Sequence, residues 1–590
     1  MYALEIVIVI VAVYLAPALA LRPSLALKPT TSLAIPFVSV CCVFIIHTCL
    51  AQAGIYTPIV VQICSAVLVL VATVRVGTLA KNHPGKAWGN FAKLLFLVNL
   101  ALCIRFGSML LIKGFDLDDE VYSWNMWAVQ HFLGEPIDFS YTQAPYPQLF
   151  PKLLSYCYMV LGGIDAQTAV KTSLIVFPFA ILTALGLASS RNEWKYLPLH
   201  FLLCWFVLRN VDLKHLFDDG MPDTMTAAAI VGSICLLQLY RLRRDEIELL
   251  WLSLVCAVVA VLTKQPGLVW GLFSLPVLLA VDALRHKESW KRVALGVIPA
   301  IIGVVWMLTE GRNFEDNTGV VSRSFADRDI LAQLWFSTDT WFIQQPTLAV
   351  LAILAVFSVL RANRGRDILL LFAIPSLLMW FLYASYDMRA GAPALIAFAY
   401  LIAHGNYGLG ARREHMRQPL APLATKYTLA VAGILLVAAF AEAVSTVEKQ
   451  ASRIEGYRVD QTERNNLFRL FGDEAPVVFA RVTDNEDARL WTPTHYVFGL
   501  YYGYADVTRP QYTAERYTAK TLMAELRTQN RNYVTNSGLV PAGPAGKILD
   551  RLATKTCPRL FTRVAGPNNV FEITVYEIDT QLLNSDYCSP

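Results

Sequence analysis

Residues Leu94–Glu120 read LLFLVNLALCIRFGSMLLIKGFDLDDE. From Leu94 to Ile112 the run holds one charge, Arg105; just beyond it, Asp116, Asp118, Asp119 and Glu120 place four acids within five positions. An apolar run of about 20 residues is long enough to cross a bilayer as a helix. A cluster of carboxylates at its end marks where the chain meets water. A lipid-length run closed by acids decides the class of the fold, and its first half recurs along most of the chain.

The 590 residues are 55% apolar and only 16% charged, with a net charge of +5. Soluble domains carry about 25% charged residues, so polar surface is too scarce for several soluble domains. High apolar content, sparse cysteine and small net charge also disfavour disorder, a disulfide scaffold and a nucleic-acid partner. What remains is a polytopic membrane protein. Spans are expected at 2–21, 33–51, 56–80, 91–112, 168–189, 196–210, 224–241, 249–263, 266–284, 293–309, 346–360, 367–385, 391–404 and 427–446, about fourteen, after which the chain turns polar. Three of them, 196–210, 249–263 and 391–404, are short enough to be re-entrant or buried half-helices.

Cytoplasmic loops hold the excess of Lys and Arg. Alternate loops, beginning with Arg22 and Lys28, carry twenty-one of these bases, and the intervening, longer loops carry nine. That bias puts the N-terminus and the polar tail outside. The first span has Glu5 and no Lys or Arg ahead of it, the wrong sign for a cleaved signal peptide.

The outer loops gather acids. Asp119 and Glu120 suit the first turn of a helix from Val121 to Leu133. Trp124, Trp127, His131 and Phe132 recur on it at helical spacing, as an interfacial helix requires. Tyr141 to Pro151 then leads into a second membrane-surface helix, Leu153 to Leu161, so interfacial helices are expected over 119–161. The next outer loop holds Asp212, Asp218, Asp219 and Asp223. Converging carboxylates either bind a divalent cation, with Asp119, Asp219 and Asp223 as ligands for Mg2+ or Mn2+, or supply a general base. On the same face Lys264 sits in a turn, and Arg389 at another edge; each suits a phosphate or a snorkelling role. Arg105, inside a span, needs a partner or a wet cavity.

This pattern resembles the GT-C superfamily of integral-membrane glycosyltransferases, which includes protein O-mannosyltransferases and lipid A aminoarabinose transferases. Asp119-Glu120-Val121-Tyr122 looks like its first acidic motif, followed by a helix ending in Gly134. Tyr146-Pro147-Gln148-Leu149-Phe150-Pro151 is similar to its proline-rich segment, with Gln148 in place of a second proline. Pro222-Asp223 resembles its second acidic site, Leu262-Thr263-Lys264-Gln265-Pro266-Gly267 its Thr-Lys turn, and Arg389 with Pro393 its late Arg and Pro. The resemblance covers roughly residues 91–400. Three spans precede it, and Asp116 and Asp118 are additional acids beside its motif.

With this resemblance the chain is expected to be an all-α polytopic membrane protein with a GT-C-like core at 91–447; hydropathy adds three N-terminal spans within 1–90, and the polar tail at 448–590 reads as an extracytoplasmic C-terminal α/β domain. The resemblance implies transfer of one sugar from a polyprenyl-phosphate donor to a glycan, lipid or protein acceptor at the outer face of a bacterial inner membrane. Asp119 is the first choice of base, with Asp118, Glu120 and Asp223 beside it; Lys264, Arg389 and Arg105 would hold the donor phosphate. Two rivals use the same membrane setting: a lipid-linked glycan flippase or transporter, and a glycan polymerase or ligase. A transporter is expected to carry its functional charges at the midplane and often an inverted repeat, whereas these acids pool on one face.

In the tail, Val477–Ala480 and Val570–Tyr576 read as strands and Thr518–Thr528 as a helix. Tyr496, Tyr501, Tyr502 and Tyr504 are candidate sugar-stacking rings, core packing being the alternative. Nine of the eleven cysteines precede the tail; the other two, Cys557 and Cys588, are a candidate disulfide if the tail is external.

Overall fold

The computed structural model describes residues 2–82, 90–112, 115, 120–134, 137, 146–189, 200–204, 207, 220–286, 290–309, 330–343, 346–362, 365–383, 391–407, 437, 441, 445, 489–492, 506–508, 518–537, 544–565 and 573–588. The chain forms two compact units. The first is Met1–Glu120, Trp124–Pro136 and Ala144–Arg458; the second is Val121–Ser123, Ile137–Gln143 and Val459–Pro590.

The first unit is helical. In chain order its main helices are α1 Ala3–Leu21, α2 Pro29–Gln52, α3 Pro58–Asn82, α4 Asn90–Ile112, α5 Met126–Leu133, α6 Leu149–Leu161, α7 Gln167–Ala188, α8 Pro222–Leu242, α9 Ile247–Thr263, α10 Gln265–Arg285, α11 Trp290–Thr309, α12 Ile330–Thr338, α13 Pro346–Ala362, α14 Ile374–Tyr383 and α15 Ala392–Tyr407. Among the described residues seven of these, α1, α2, α3, α7, α8, α10 and α11, are long and apolar enough to cross a membrane. An eighth span arises if Leu334–Ile343 and Pro346–Ala362, bent by 96° at their junction, count as one.

The count of fourteen is therefore not reached among the described residues, for two reasons. Ala92–Ile104, Ile247–Thr263 and Ala392–Gly405 are apolar but short; 17 residues rise only about 25 Å. The expected spans 196–210 and 427–446 lie mostly outside the described residues. The membrane-surface reading of α6 also changes. Leu149 to Met159 are buried apart from Lys152, so the helix is enclosed by protein and presents no lipid-facing stripe.

The three N-terminal helices pack into this same unit. Phe37 of α2 sits against Phe177 of α7, ring centroids 6.3 Å apart, and its side chain closes the space beside Gly232 of α8. α8 is the most enclosed span. Its Ala227, Ala228, Ala229, Gly232 and Ser233 let neighbours approach closely, as membrane helix packing requires. Ser233 donates to the Ser253 carbonyl and Ser253 to the Ser233 carbonyl, each at 2.8 Å, while the Trp270 indole N–H donates to Ser233 Oγ at 2.9 Å. These bonds join α8, α9 and α10 without leaving a hydroxyl unpaired in a dry interior.

One end of the bundle is ionic. Arg22 pairs with Glu248 at 3.0 Å and Lys28 with Glu246 at 3.2 Å, placing the α1–α2 and α8–α9 connections at the same end. Deeper there, Arg241 of α8 bridges Asp282 of α10 and Asp367, both at 2.6 Å.

The second unit carries a five-stranded mixed sheet of order β2-β1-β3-β5-β4, with β1 Arg489–Trp491, β2 Asp506–Thr508, β3 Tyr533–Ser537, β4 Phe561–Ala565 and β5 Ile573–Ile578. β1 runs parallel to β2 and β3, and β5 runs antiparallel to β3 and β4. Helix α16, Ala519–Thr528, starts where Thr518 Oγ1 accepts the Thr521 N–H, and buries Leu522, Met523 and Leu526 against Trp491 and Val534. Of the strand-like run 570–576, residues 573–576 lie on β5 and the first three lie outside the described residues. Cys557 and Cys588 are joined as a disulfide with Cα atoms 5.9 Å apart. Val477–Ala480 and the four candidate tyrosines, Tyr496, Tyr501, Tyr502 and Tyr504, lie outside the described residues.

Removing the cation from the Arg241 cluster leaves two carboxylates facing each other in a partly dry site. Arg241→Ala is expected to destabilise the bundle by about 3 kcal/mol, seen as a lower thermal midpoint in detergent, with Arg241→Lys recovering part of the loss.

Candidate active site

At the opposite end of α8, Met221 is extended, Pro222 opens the helix with its φ preset and Asp223 falls in the first turn. α9 runs antiparallel to α8 and ends at Thr263, because Lys264 is extended (φ −159°, ψ 159°) and Pro266 follows at once. The two ends meet. Lys264 Nζ donates to Asp223 Oδ1 at 2.7 Å and to Oδ2 at 2.8 Å. Gly267 is obligatory in this turn, since a Cβ there would stand 1.9 Å from the Ala260 carbonyl oxygen.

The Asp223 side chain is 2% exposed and that of Lys264 18%. A carboxylate that deep is tolerated only with a close cation, and the positive end of the α8 dipole adds to the attraction. The pair thus hides its carboxylate completely, while the lysine side chain keeps a small exposed part. Lys264 is accordingly no isolated point charge, and Asp223 no unattached acid: an incoming phosphate would share the ammonium with Asp223.

A second feature of this end is basic and aromatic. Trp124 packs edge-on to Trp127, Tyr146 and Phe150, with centroids 5.0, 5.2 and 6.0 Å away. Tyr158 O–H donates to Asn125 Oδ1 at 2.5 Å. Gln148 donates from Nε2 to the Tyr146 carbonyl at 2.9 Å, and its Oε1 lies 3.2 Å from His131 Nε2. The residue standing in place of a proline therefore fixes the segment before α6 to α5. Gly134 (φ +73°) closes α5 in the left-handed conformation a glycine favours. Burial, with the nearby Lys152 ammonium, holds the His131 pKa down to about 4 in spite of the Gln148 bond. His47 stacks edge-on to His131 at 5.2 Å, and Lys152 also lies 4.9 Å from the Phe44 ring centroid.

Lys171 lies in the second turn of the α7 span, inside the span expected at 168–189. It is fully buried, with Nζ 5.7 Å from the ring centroid of Phe115, the residue preceding the first acid. A lysine this buried is rare enough in a membrane protein to mark a functional region, yet no spacing rule in the sequence singles it out.

Asp116, Asp118, Asp119, Asp212, Asp218, Asp219 and Arg389 lie outside the described residues. Glu120 opens the turn Glu120–Asn125 and Arg105 lies within α4, but their side chains are not among those described. Pro393 is in the first turn of α15. Among the described residues no three His, Cys, Asp or Glu side chains gather as metal ligands; of the candidate ligands, Asp223 faces Lys264.

The chain is similar to solved structures of ArnT. ArnT from Cupriavidus metallidurans bound to undecaprenyl phosphate shares 14% identity, over 84% of this chain and 98% of that one, at a TM-score of 0.42. The same protein in the apo state shares 12% identity over the same fractions, at 0.39. No family model and no curated protein matches the sequence.

Two outcomes follow from the geometry. Lys264→Met strands the Asp223 carboxylate and is expected to lower stability by about 3 kcal/mol, most of it regained in the Asp223→Leu/Lys264→Met double variant, because the lone charge and not the missing pair does the damage. Thermal midpoints of the three proteins read this directly. The second concerns pH. His131 stays neutral in the folded protein where the unfolded imidazole, with its ordinary value of 6.5, takes up a proton. Stability from this group is thus intact above about pH 6.5 and falls as pH drops toward 4. The thermal midpoint of His131→Gln should decline less than that of wild type across that window.

Proposed function

We propose that this protein is a membrane glycosyltransferase that moves a single sugar from a polyprenyl-phosphate carrier to a glycan, lipid or protein acceptor at the outer face of a bacterial inner membrane. The observation that supports it best is the Asp223–Lys264 pair. A carboxylate and an ammonium are held 2.7 Å apart at the end of the bundle remote from the Arg22–Glu248 and Lys28–Glu246 pairs, the end where a lipid-borne phosphate and a water-borne acceptor would meet.

Glycosyl transfer from a prenyl phosphate has two electrostatic demands. The departing phosphate gathers negative charge and needs a cation already in place; Lys264, with Arg389 and Arg105, is assigned this role. The acceptor hydroxyl must lose a proton as it attacks the anomeric carbon, and Asp119 is assigned as the base. Asp118 and Glu120 beside it raise the proton affinity of one carboxyl by like-charge repulsion, which suits a base. A divalent cation held by Asp119, Asp219 and Asp223 is the other route to neutralising the phosphate. The Lys264 ammonium on both oxygens of Asp223 favours the route through lysine.

The test is a transfer assay with purified protein and a labelled prenyl-phosphate sugar. Asp119→Asn is expected to reduce transfer by at least about 100-fold, the usual worth of a general base, with the thermal midpoint unchanged; near-normal transfer would remove Asp119 from the mechanism. Lys264→Arg should retain more donor affinity than Lys264→Met. Undiminished transfer in EDTA is the result expected for the route through lysine.

A further inference from the structure

Along the second unit the bases are not scattered. Lys547, Arg551, Lys555, Arg559 and Arg563 follow one another at intervals of four, and between Pro544 and Ala565 the only acid is Asp550. All five bases are exposed, and so is Asp550. A protein surface ordinarily mixes the two signs. Here five cations and one anion are gathered in a single stretch of chain.

The fold keeps them together. Helix α17, Pro544–Arg551, runs on through one wider turn, Leu552–Thr556. Lys547, Arg551 and Lys555 therefore stack on one face, while Ala545, Leu549, Leu552 and Ala553 on the other belong to the core beneath. Arg563 joins the same ridge from β4. Phe561 faces that core, so Arg563, two residues on, lies on the same side of the sheet, opposite Tyr576. Burial raises the Tyr576 pKa, Asp550 adds to the rise and Arg563 opposes it, which brings Asp550 of α17 and Arg563 to one spot. Arg559 stands in the turn after Cys557, and the Cys557–Cys588 disulfide draws Tyr587, 42% exposed, to that end. The result is a ridge with a net charge of +4, five bases less Asp550, and an exposed aromatic ring at one end.

The shape of the ridge selects among anionic partners. The helix is convex and its apolar residues are taken up by the domain core. Among the described residues it therefore offers neither a groove for a glycan or peptide nor an apolar face to insert into a bilayer. A convex row of cations suits a plane of mobile anions such as phospholipid headgroups, an interface at which tyrosine is enriched. The unit is also continuous in chain with a membrane bundle, so headgroups are present at high effective concentration. We propose that the ridge of Lys547, Arg551, Lys555, Arg559 and Arg563 docks the second unit onto anionic phospholipid headgroups. The contact is electrostatic and shallow, and hence sensitive to salt.

Lysine reactivity in the full chain reads the docking. The protein is placed in nanodiscs of phosphatidylcholine, alone or mixed with phosphatidylglycerol, and acetylation of Lys547 and Lys555 by an uncharged reagent is followed by mass spectrometry. Both lysines are expected to react at least about fivefold more slowly in the anionic discs. They should regain the neutral-disc rate in about 1 M salt, where charges are screened beyond about 3 Å. Arg551→Glu/Arg559→Glu, which brings the ridge to zero net charge, should react alike in both discs with an unchanged thermal midpoint. Equal rates for wild type in the two discs overturn the docking. Slowing that survives in the charge-reversed variant or in high salt also overturns it, because a contact other than the basic ridge would then be covering the lysines. Protection by an added acidic oligosaccharide in phosphatidylcholine discs, with none from phosphatidylglycerol, assigns the ridge to a glycan and overturns the membrane docking as well.

Discussion

A carboxylate buried at the first turn of α8 persists as an ion because Lys264 stands on both of its oxygens, and much of the architecture follows from keeping that pair together. α9 must run antiparallel to α8 and stop at Thr263, the chain must turn through Lys264 with Gly267 pressed onto the Ala260 carbonyl, and α10 must start at once. The far end of α8 carries the opposite arrangement, a buried Arg241 held between Asp282 and Asp367. Eighteen residues separate the two charges, about 27 Å of helix, close to the thickness of a hydrocarbon layer of about 30 Å. Between them Ser233, Ser253 and Trp270 satisfy one another, so the interior span has no unpaired hydroxyl at the joint of three helices.

The division of charge along α8 has a functional sense. At the Arg241 end one guanidinium is locked between two carboxylates. At the Asp223 end one ammonium is matched to one buried carboxylate, and the neighbouring features are Lys171 against Phe115 and His131 on Gln148.

Parts of this were legible in the sequence because local chemistry dictates them. Trp124 and Trp127 sit at helical spacing before Gly134, and α5 ends there. Pro222 sets Asp223 in a first turn, and Gln265-Pro266-Gly267 enforces a break. The alternation of bases put Arg22 and Lys28 on the same side as Arg243, and the Lys28–Glu246 pair brings those loops to one end. Other parts depended on contacts between distant segments. Asp223 and Lys264 are 41 residues apart, so each read as a separate site residue until the helices were aligned. Arg241 read as one more topology-setting base, although its partners, Asp282 and Asp367, are a helix and more away. Lys171 was not singled out, since its burial comes from surrounding helices and not from its neighbours in sequence. α6 read as interfacial because its apolar character cannot distinguish lipid from protein as the medium that covers it.

Under the function proposed above, this membrane bundle handles one sugar on a prenyl monophosphate. Mass spectrometry of the protein purified with its native lipids, released from detergent in the instrument, addresses it most directly. The expected result is a bound species whose mass is a polyprenyl monophosphate, alone or bearing a single sugar. A carrier bearing an oligosaccharide on a diphosphate would contradict it and point to a glycan polymerase or flippase.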